Sequence, residues 1–177
     1  VERAGWVGVA RYGSPCSKTA TTEELPGATA VMEPFHVVRW AGDALDQCRR
    51  RVQQELHGHR GRAQDPLYRA RRTLHTGADL LTPRQQARID ALFAGDDHVQ
   101  LEATYGVYQQ MVAAYREPDR AKGRARMEAF IASISSGVPG VLREVITLGR
   151  TLKKRSADVL AYFCLLYTSP STRDRTR

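Results

Sequence analysis

The residues with most chemical promise are one acid and its immediate neighbours. Residues 30–39 read AVMEPFHVVR: a short apolar run ends in Glu33, and proline, phenylalanine and His36 come directly after it. Phosphodiester chemistry uses two divalent ions about 4 Å apart to activate the nucleophile and stabilise the leaving oxygen. Oxygen ligands suit Mg2+, which takes one or two protein carboxylates plus substrate phosphate. Carboxylates at the ends of adjacent strands can meet at such a pair. Many α/β proteins also end a strand in Asp or Glu, so the spacing alone leaves a purely structural acid as the other reading.

Two strands and a long helix would have to position that acid. GWVGVARY, residues 5–12, alternates and stops at Gly-Ser-Pro, which predicts a strand. ATAVME, residues 28–33, predicts a second strand after the turn LPGAT. A helix then starts at Pro34, a residue suited to a first turn. Val37, Ala41, Ala44, Leu45, Cys48, Val52 and Leu56 recur at three and four, one apolar stripe. Arg49, Arg50, Arg51 and Gln53 fall mostly off it, and Gly58 and Gly61 mark the end. Further helices come next. Thr82, Pro83 and Gln85 form a capping-box pattern. Leu101, Tyr105, Tyr108, Met111, Val112 and Tyr115 share a face, as do Met127, Phe130, Ile131 and Ile134, with Gly137 as a stop. Val141, Leu142, Val145, Ile146 and Leu152 make the last stripe. These stripes read as core packing. There is no internal repeat and no P-loop.

The totals narrow the function classes. The chain has 177 residues, 42% hydrophobic and 26% charged, the composition of one globular domain or a piece of a larger protein. Its net charge of +8 fits a polyanionic partner, nucleic acid before acidic lipid. An arginine-rich composition from a GC-rich genome is the bland alternative. The three cysteines are scattered and form no C-x-x-C pair, which argues against a zinc site or disulfide framework and for a reducing compartment. No apolar run reaches the roughly 18 residues of a membrane span, and no signal peptide opens the chain. The first residue is not methionine, so the true start is expected to lie upstream.

LPGATAVMEPFHVVRWAGDALDQCRRRVQQELHGHRGR closely resembles the ISL-three family of bacterial insertion-sequence transposases. TLGRTLKKRSADVLAYF resembles the stretch before that family's last catalytic motif. The likeness covers about residues 17–163. It implies an RNase H-like catalytic domain with an Asp-Asp-Glu triad and a large helical insertion, α/β in class but mostly α-helical in this fragment. It implies Mg2+ or Mn2+ as cofactor, with DNA, both transposon ends and target, as partner. The oligomeric state, homo-oligomer or not, is left open, and no membrane partner and a bacterial cytoplasmic, nucleoid-associated location are expected. Residues 1–58 would form a partial core and residues 59–163 the insertion leading back to it. The tail, CLLYTSPSTRDRTR, residues 164–177, resembles the translation of a transposon-end sequencing adapter and reads as non-native.

The triad carries over with departures. The family's second Asp, with Phe-His-Val-Val starting two residues later, falls on Glu33. Its first Asp, in a Met-Asp-Gly pattern, falls on Tyr12, with Gly13 next here. The final Glu would come after the LAYF segment, where the tail begins. Glu33 keeps its charge but moves its oxygens by about 1.5 Å, whereas catalytic groups need placement within about 0.5 Å. Tyr12 is neutral at pH 7 and cannot replace an anionic ligand. Metal binding at Glu33 is therefore expected to be weak and the chain inactive. His36 belongs to the family-like pattern, so it reads either as an active-site neighbour or as a locally bonded helix-start histidine. Arg49, Arg50, Arg51, Arg60, Arg62, Arg69, Arg71 and Arg72, together with Lys153, Lys154 and Arg155, are candidate phosphate contacts; a solvated basic face is the other reading. The competing function is a non-catalytic basic helical module for DNA binding or dimerisation. With two strands of a larger sheet, the first third is expected to fold poorly alone.

Overall fold

The computed structural model of the chain describes residues 9–12, 29–59 and 62–164. Among these, two strands precede a run of helices: β1 (Val9–Tyr12), β2 (Thr29–Met32), α1 (Pro34–His57), α2 (Pro66–Ala70), α3 (Pro83–Phe93), α4 (Val99–Arg116), α5 (Arg120–Ser135), α6 (Arg143–Lys154) and α7 (Ser156–Cys164). Short 3-10 turns at Thr73–His75, Ala78–Leu80 and Asp96–His98 join the middle elements. The described residues are thus mostly helical, as expected. The strands fall within the two predicted segments; residues 5–8 of the first lie outside the described residues.

The strands pair in parallel, with Val9 opposite Thr29 and Tyr12 opposite Met32. Val31 and Met32 are fully buried, and α7 packs on β2. Helix α1 begins where the sequence says it should. Pro34 takes its first turn, and Glu33 is the extended residue ahead of it. It stops at Gly58, whose φ of 66° lies in the left-handed region that glycine enters without strain. Val37, Ala41, Ala44, Leu45, Cys48 and Val52 are buried, chiefly against α4 and, further along, α6. Full burial of one such aliphatic side chain contributes about 1.5–3 kcal/mol. One apolar cluster runs from Met32 through all the longer helices to Phe163.

The capping box at Thr82 forms as read: Gln85 N–H donates to the Thr82 hydroxyl at 3.3 Å, and Thr82 N–H donates to the Gln85 side chain at 2.9 Å. Three expectations need correction. Arg49 and Gln53 are buried rather than off the stripe. A polar chain makes this tolerable: Arg49 binds Asp46 and donates to Gln53 Oε1 at 3.2 Å, and Gln53 donates to Asp65, which caps α2. Leu56 and Val141, placed in apolar stripes, are exposed. The last helical stretch is two helices, broken at Arg155, whose N–H donates to the carbonyls of Thr151 and Leu152, both at 3.1 Å. That break turns α7 back toward β2.

Candidate active-site edge

The parallel register decides the geometry. Because Tyr12 is opposite Met32, the Tyr12 backbone and Glu33 stand one residue apart at the same carboxyl edge of the strand pair. This is the edge at which strand-end carboxylates of neighbouring strands can converge. Glu33 is held there by its backbone. Its φ and ψ of −66° and 136° are extended, and its carbonyl accepts from the N–H groups of His36 at 3.0 Å and Val37 at 3.4 Å. Its side chain makes no capping bond. The carboxylate is 46% exposed, with His36 Nε2 3.9 Å away. His36 in turn sits edge-on to Phe35, ring centroids 5.4 Å apart.

A cleft of about 250 Å3 opens beside the acid, lined by Val31, Glu33, Pro34, Phe35 and Tyr162. Phe35 and Tyr162 were not singled out by the sequence. The pattern PFHVV marks Phe35 as a neighbour of the acid, but nothing local to Tyr162 shows that α7 returns to it. Edge-on ring contacts and the Arg120 guanidinium hold the half-buried Tyr162 in place. Tyr162 meets Tyr115 edge-on at 5.5 Å and Phe163 at 5.2 Å, while Tyr115 and Phe163 stack at 5.3 Å. The Tyr115 phenol, with no hydrogen-bond partner among the described residues, is pushed well above its ordinary pKa by burial.

The fit of a divalent metal pair here is poor. Glu33 supplies one carboxylate, Tyr12 is a phenol by type, and His36 is a nitrogen donor ill suited to Mg2+. Among the described residues no group of three or more His, Cys, Asp or Glu could hold a metal ion.

The candidate phosphate contacts divide by environment. The Arg49 side chain is 6% exposed and bonded to Asp46 at 2.9 Å. Arg51 is 14% exposed and paired with Glu144 at 2.7 Å. Arg50 is exposed and pairs with Asp46. Burial raises the Asp46 carboxyl, but hydrogen bonds and charge from Arg49 and Arg50 outweigh it and leave the pKa lowered. Arg71 lies over the Tyr68 ring at 4.1 Å. Arg62, Arg69 and Arg72 are exposed; Arg60 lies outside the described residues. Lys153 and Lys154 are exposed and Arg155 half-buried. On α6, Arg143, Arg150 and Lys154 line the outer face at helical spacing, opposite the buried Val145, Leu148 and Leu152. Arg143 reaches Glu55 at 3.3 Å, whereas Arg150, Lys153 and Lys154 pair with no acid among the described residues. Arg143 and Arg150 were missed by reading charge runs; the three-and-four spacing of α6 carries the signal.

A mostly helical chain with an acid at a parallel strand edge and a basic outer helix fits a protein that acts on nucleic acid. The chain matches the ISL3 family of DDE transposases over residues 13–171 and belongs to that family. The match begins just after Tyr12 and runs past Phe163 into the tail. No curated protein and no solved structure matches the chain. Transposases act on DNA. Among the described residues, no helix is long and apolar enough to cross a membrane.

Proposed function

We propose that the chain is a portion of a DNA transposase that binds DNA without cutting it. In this reading the parent activity is metal-dependent cleavage and joining of DNA strands at insertion-sequence ends. The strand pair and α1 belong to an RNase H-like core, residues 1–58. Residues 59–163 are the helical insertion leading back to that core. The observation that carries the reading is the register at the strand edge. It sets the Tyr12 backbone beside Glu33, and on the resemblance-based alignment these two positions would carry the family's first two aspartates. A phenol with a pKa of about 10 stays neutral at pH 7, and Glu33 reaches too far, so the pair of anionic ligands is missing.

Binding without catalysis is favoured by the outer face of α6. Arg150, Lys153 and Lys154 present positive charge that pairs with no acid among the described residues, which phosphates can neutralise with release of counterions. Arg49 and Arg51 contribute through structure, because their guanidinium groups are occupied inside the protein. The test pairs gel shifts across a salt series with plasmid nicking in Mg2+ and Mn2+. Salt-sensitive binding with no nicking is expected. Robust nicking by clean protein would refute inactivity, and salt-independent or absent binding would refute the DNA contact.

A further inference from the structure

We propose that the cleft beside Glu33 receives one unpaired nucleobase of a DNA strand, stacked on Phe35. The proposal rests on the reading of the chain as a DNA-binding protein and assigns a ligand to a site that reading leaves empty.

Phe35 is 70% exposed, the most exposed large apolar side chain among the described residues. It fills no part of the core, so core packing does not account for it. Its backbone is nonetheless fixed. Pro34 sets the first turn of α1, and the Glu33 carbonyl accepts two bonds from the next N–H groups. The ring is thus a free face on a rigid base. The other aromatic of the cleft, Tyr162, is held on several sides. Tyr115 and Phe163 meet it edge-on. The Arg120 guanidinium lies 5.3 Å over the ring and donates to the Tyr162 carbonyl at 3.1 Å. An aromatic held in this way keeps the cleft open at about 250 Å3.

Charge decides the occupant. Glu33 in the lining repels a phosphate from the cleft itself. Each aromatic of the cleft has a cation near it in the fold: Arg39, one turn along α1 from Phe35 and joined loosely to Asp43 at 3.9 Å, and Arg120 over Tyr162. A flat, uncharged π system carried on an anionic backbone matches this pattern, with the base inside and its phosphates out at the arginines. An apolar peptide side chain would make no use of these two cations. A base within a paired duplex cannot reach Phe35, so the ligand is a base already unpaired or turned out of the stack.

The experiment uses the full chain and two duplexes of the same length. One carries a central unpaired 2-aminopurine and the other has it fully paired. The expected result is tighter binding of the unpaired duplex, with quenching of its fluorescence on stacking. Phe35→Ala should reduce that preference by about 5- to 150-fold and restore the fluorescence. Phe35→Trp should retain both effects. Circular dichroism melting checks that Phe35→Ala folds, as its exposure implies. Retained preference and quenching in Phe35→Ala would overturn the proposal. So would equal wild-type affinity for both duplexes, which leaves the DNA-binding reading standing. Binding of neither duplex would remove both. A change of oligomeric state in Phe35→Ala without loss of base preference would assign Phe35 to a contact between copies and overturn the proposal.

Discussion

Removing the Glu144 carboxylate would show how firmly the helices are tied together. Glu144 lies in the first turn of α6 and is buried. It grips Arg51 of α1 twice, at 2.7 Å from Nε and 2.9 Å from one terminal nitrogen. The same guanidinium donates to the Gln100 side chain at 2.6 Å and to the Val141 carbonyl at 3.1 Å. One cation therefore joins α1, α4 and the start of α6. Breaking a buried pair from one side costs about 3–5 kcal/mol. Arg51 keeps its other acceptors and touches solvent, so Glu144→Ala should cost about 2–3 kcal/mol. For a chain of this size that lowers the Tm by about 4–12 °C in calorimetry. Adding Arg51→Met should recover part of the loss, because no cation is then stranded.

The same pair sets a pH dependence. Burial pushes the Glu144 carboxyl up, but the Arg51 hydrogen bonds and charge outweigh it, and its pKa falls below the ordinary value of 4.5. A depressed folded-state pKa contributes stability that is complete above the unfolded value and is lost as pH falls through the folded one. The gap between wild type and Glu144→Ala should therefore be full at pH 7 and shrink below about pH 4.5. Urea unfolding over that range measures it. A gap that stays constant down to about pH 3, or a loss under about 0.5 kcal/mol at pH 7, would refute the reasoning.

Other substitutions probe other links. A Cβ at Gly149 would fall on the Ile134 carbonyl oxygen, so Gly149→Ala should force α5 and α6 apart and cost at least about 1–3 kcal/mol in urea unfolding. Thr82→Ala removes the hydroxyl of the capping box and should cost about 1 kcal/mol, with helix α3 showing faster amide exchange. Gln53→Leu removes one buried hydrogen-bond partner each from Arg49 and Asp65 and should cost about 1–3 kcal/mol by the same unfolding measurement. Lys154→Ala should lower the salt slope of DNA binding by about one unit without changing the melting curve.

Much of the helical framework was legible because its signals are local. Thr82 with Gln85, and Pro34 with Gly58, act within a turn of where they stand. Arg49 and Gln53 were misplaced because periodicity reads polar side chains as outward; Arg49 is satisfied by Asp46 and Gln53, and Gln53 in turn by Asp65, a partner that only the turn into α2 brings near. The break at Arg155 carries no glycine or proline, so nothing local announces it. At the site, the chain PFHVV and the strand-end acid marked Glu33. The other wall could not be read, since Tyr162 reaches it only through the return of α7, a contact across most of the chain.

That return also sets a clock. β2 leaves the ribosome early, yet the helix that packs on it, Ser156–Cys164, is made last of the described elements. At about 5–20 residues per second, roughly 6–25 s pass before α7 exists to cover Val31 and Met32. Through that interval the nascent strand pair has α1 beside it and no cover from α7, a window in which an unpaired strand edge can recruit a neighbouring nascent chain. Slow translation lengthens this window, and the yield of folded protein should be governed by synthesis rate as much as by final stability.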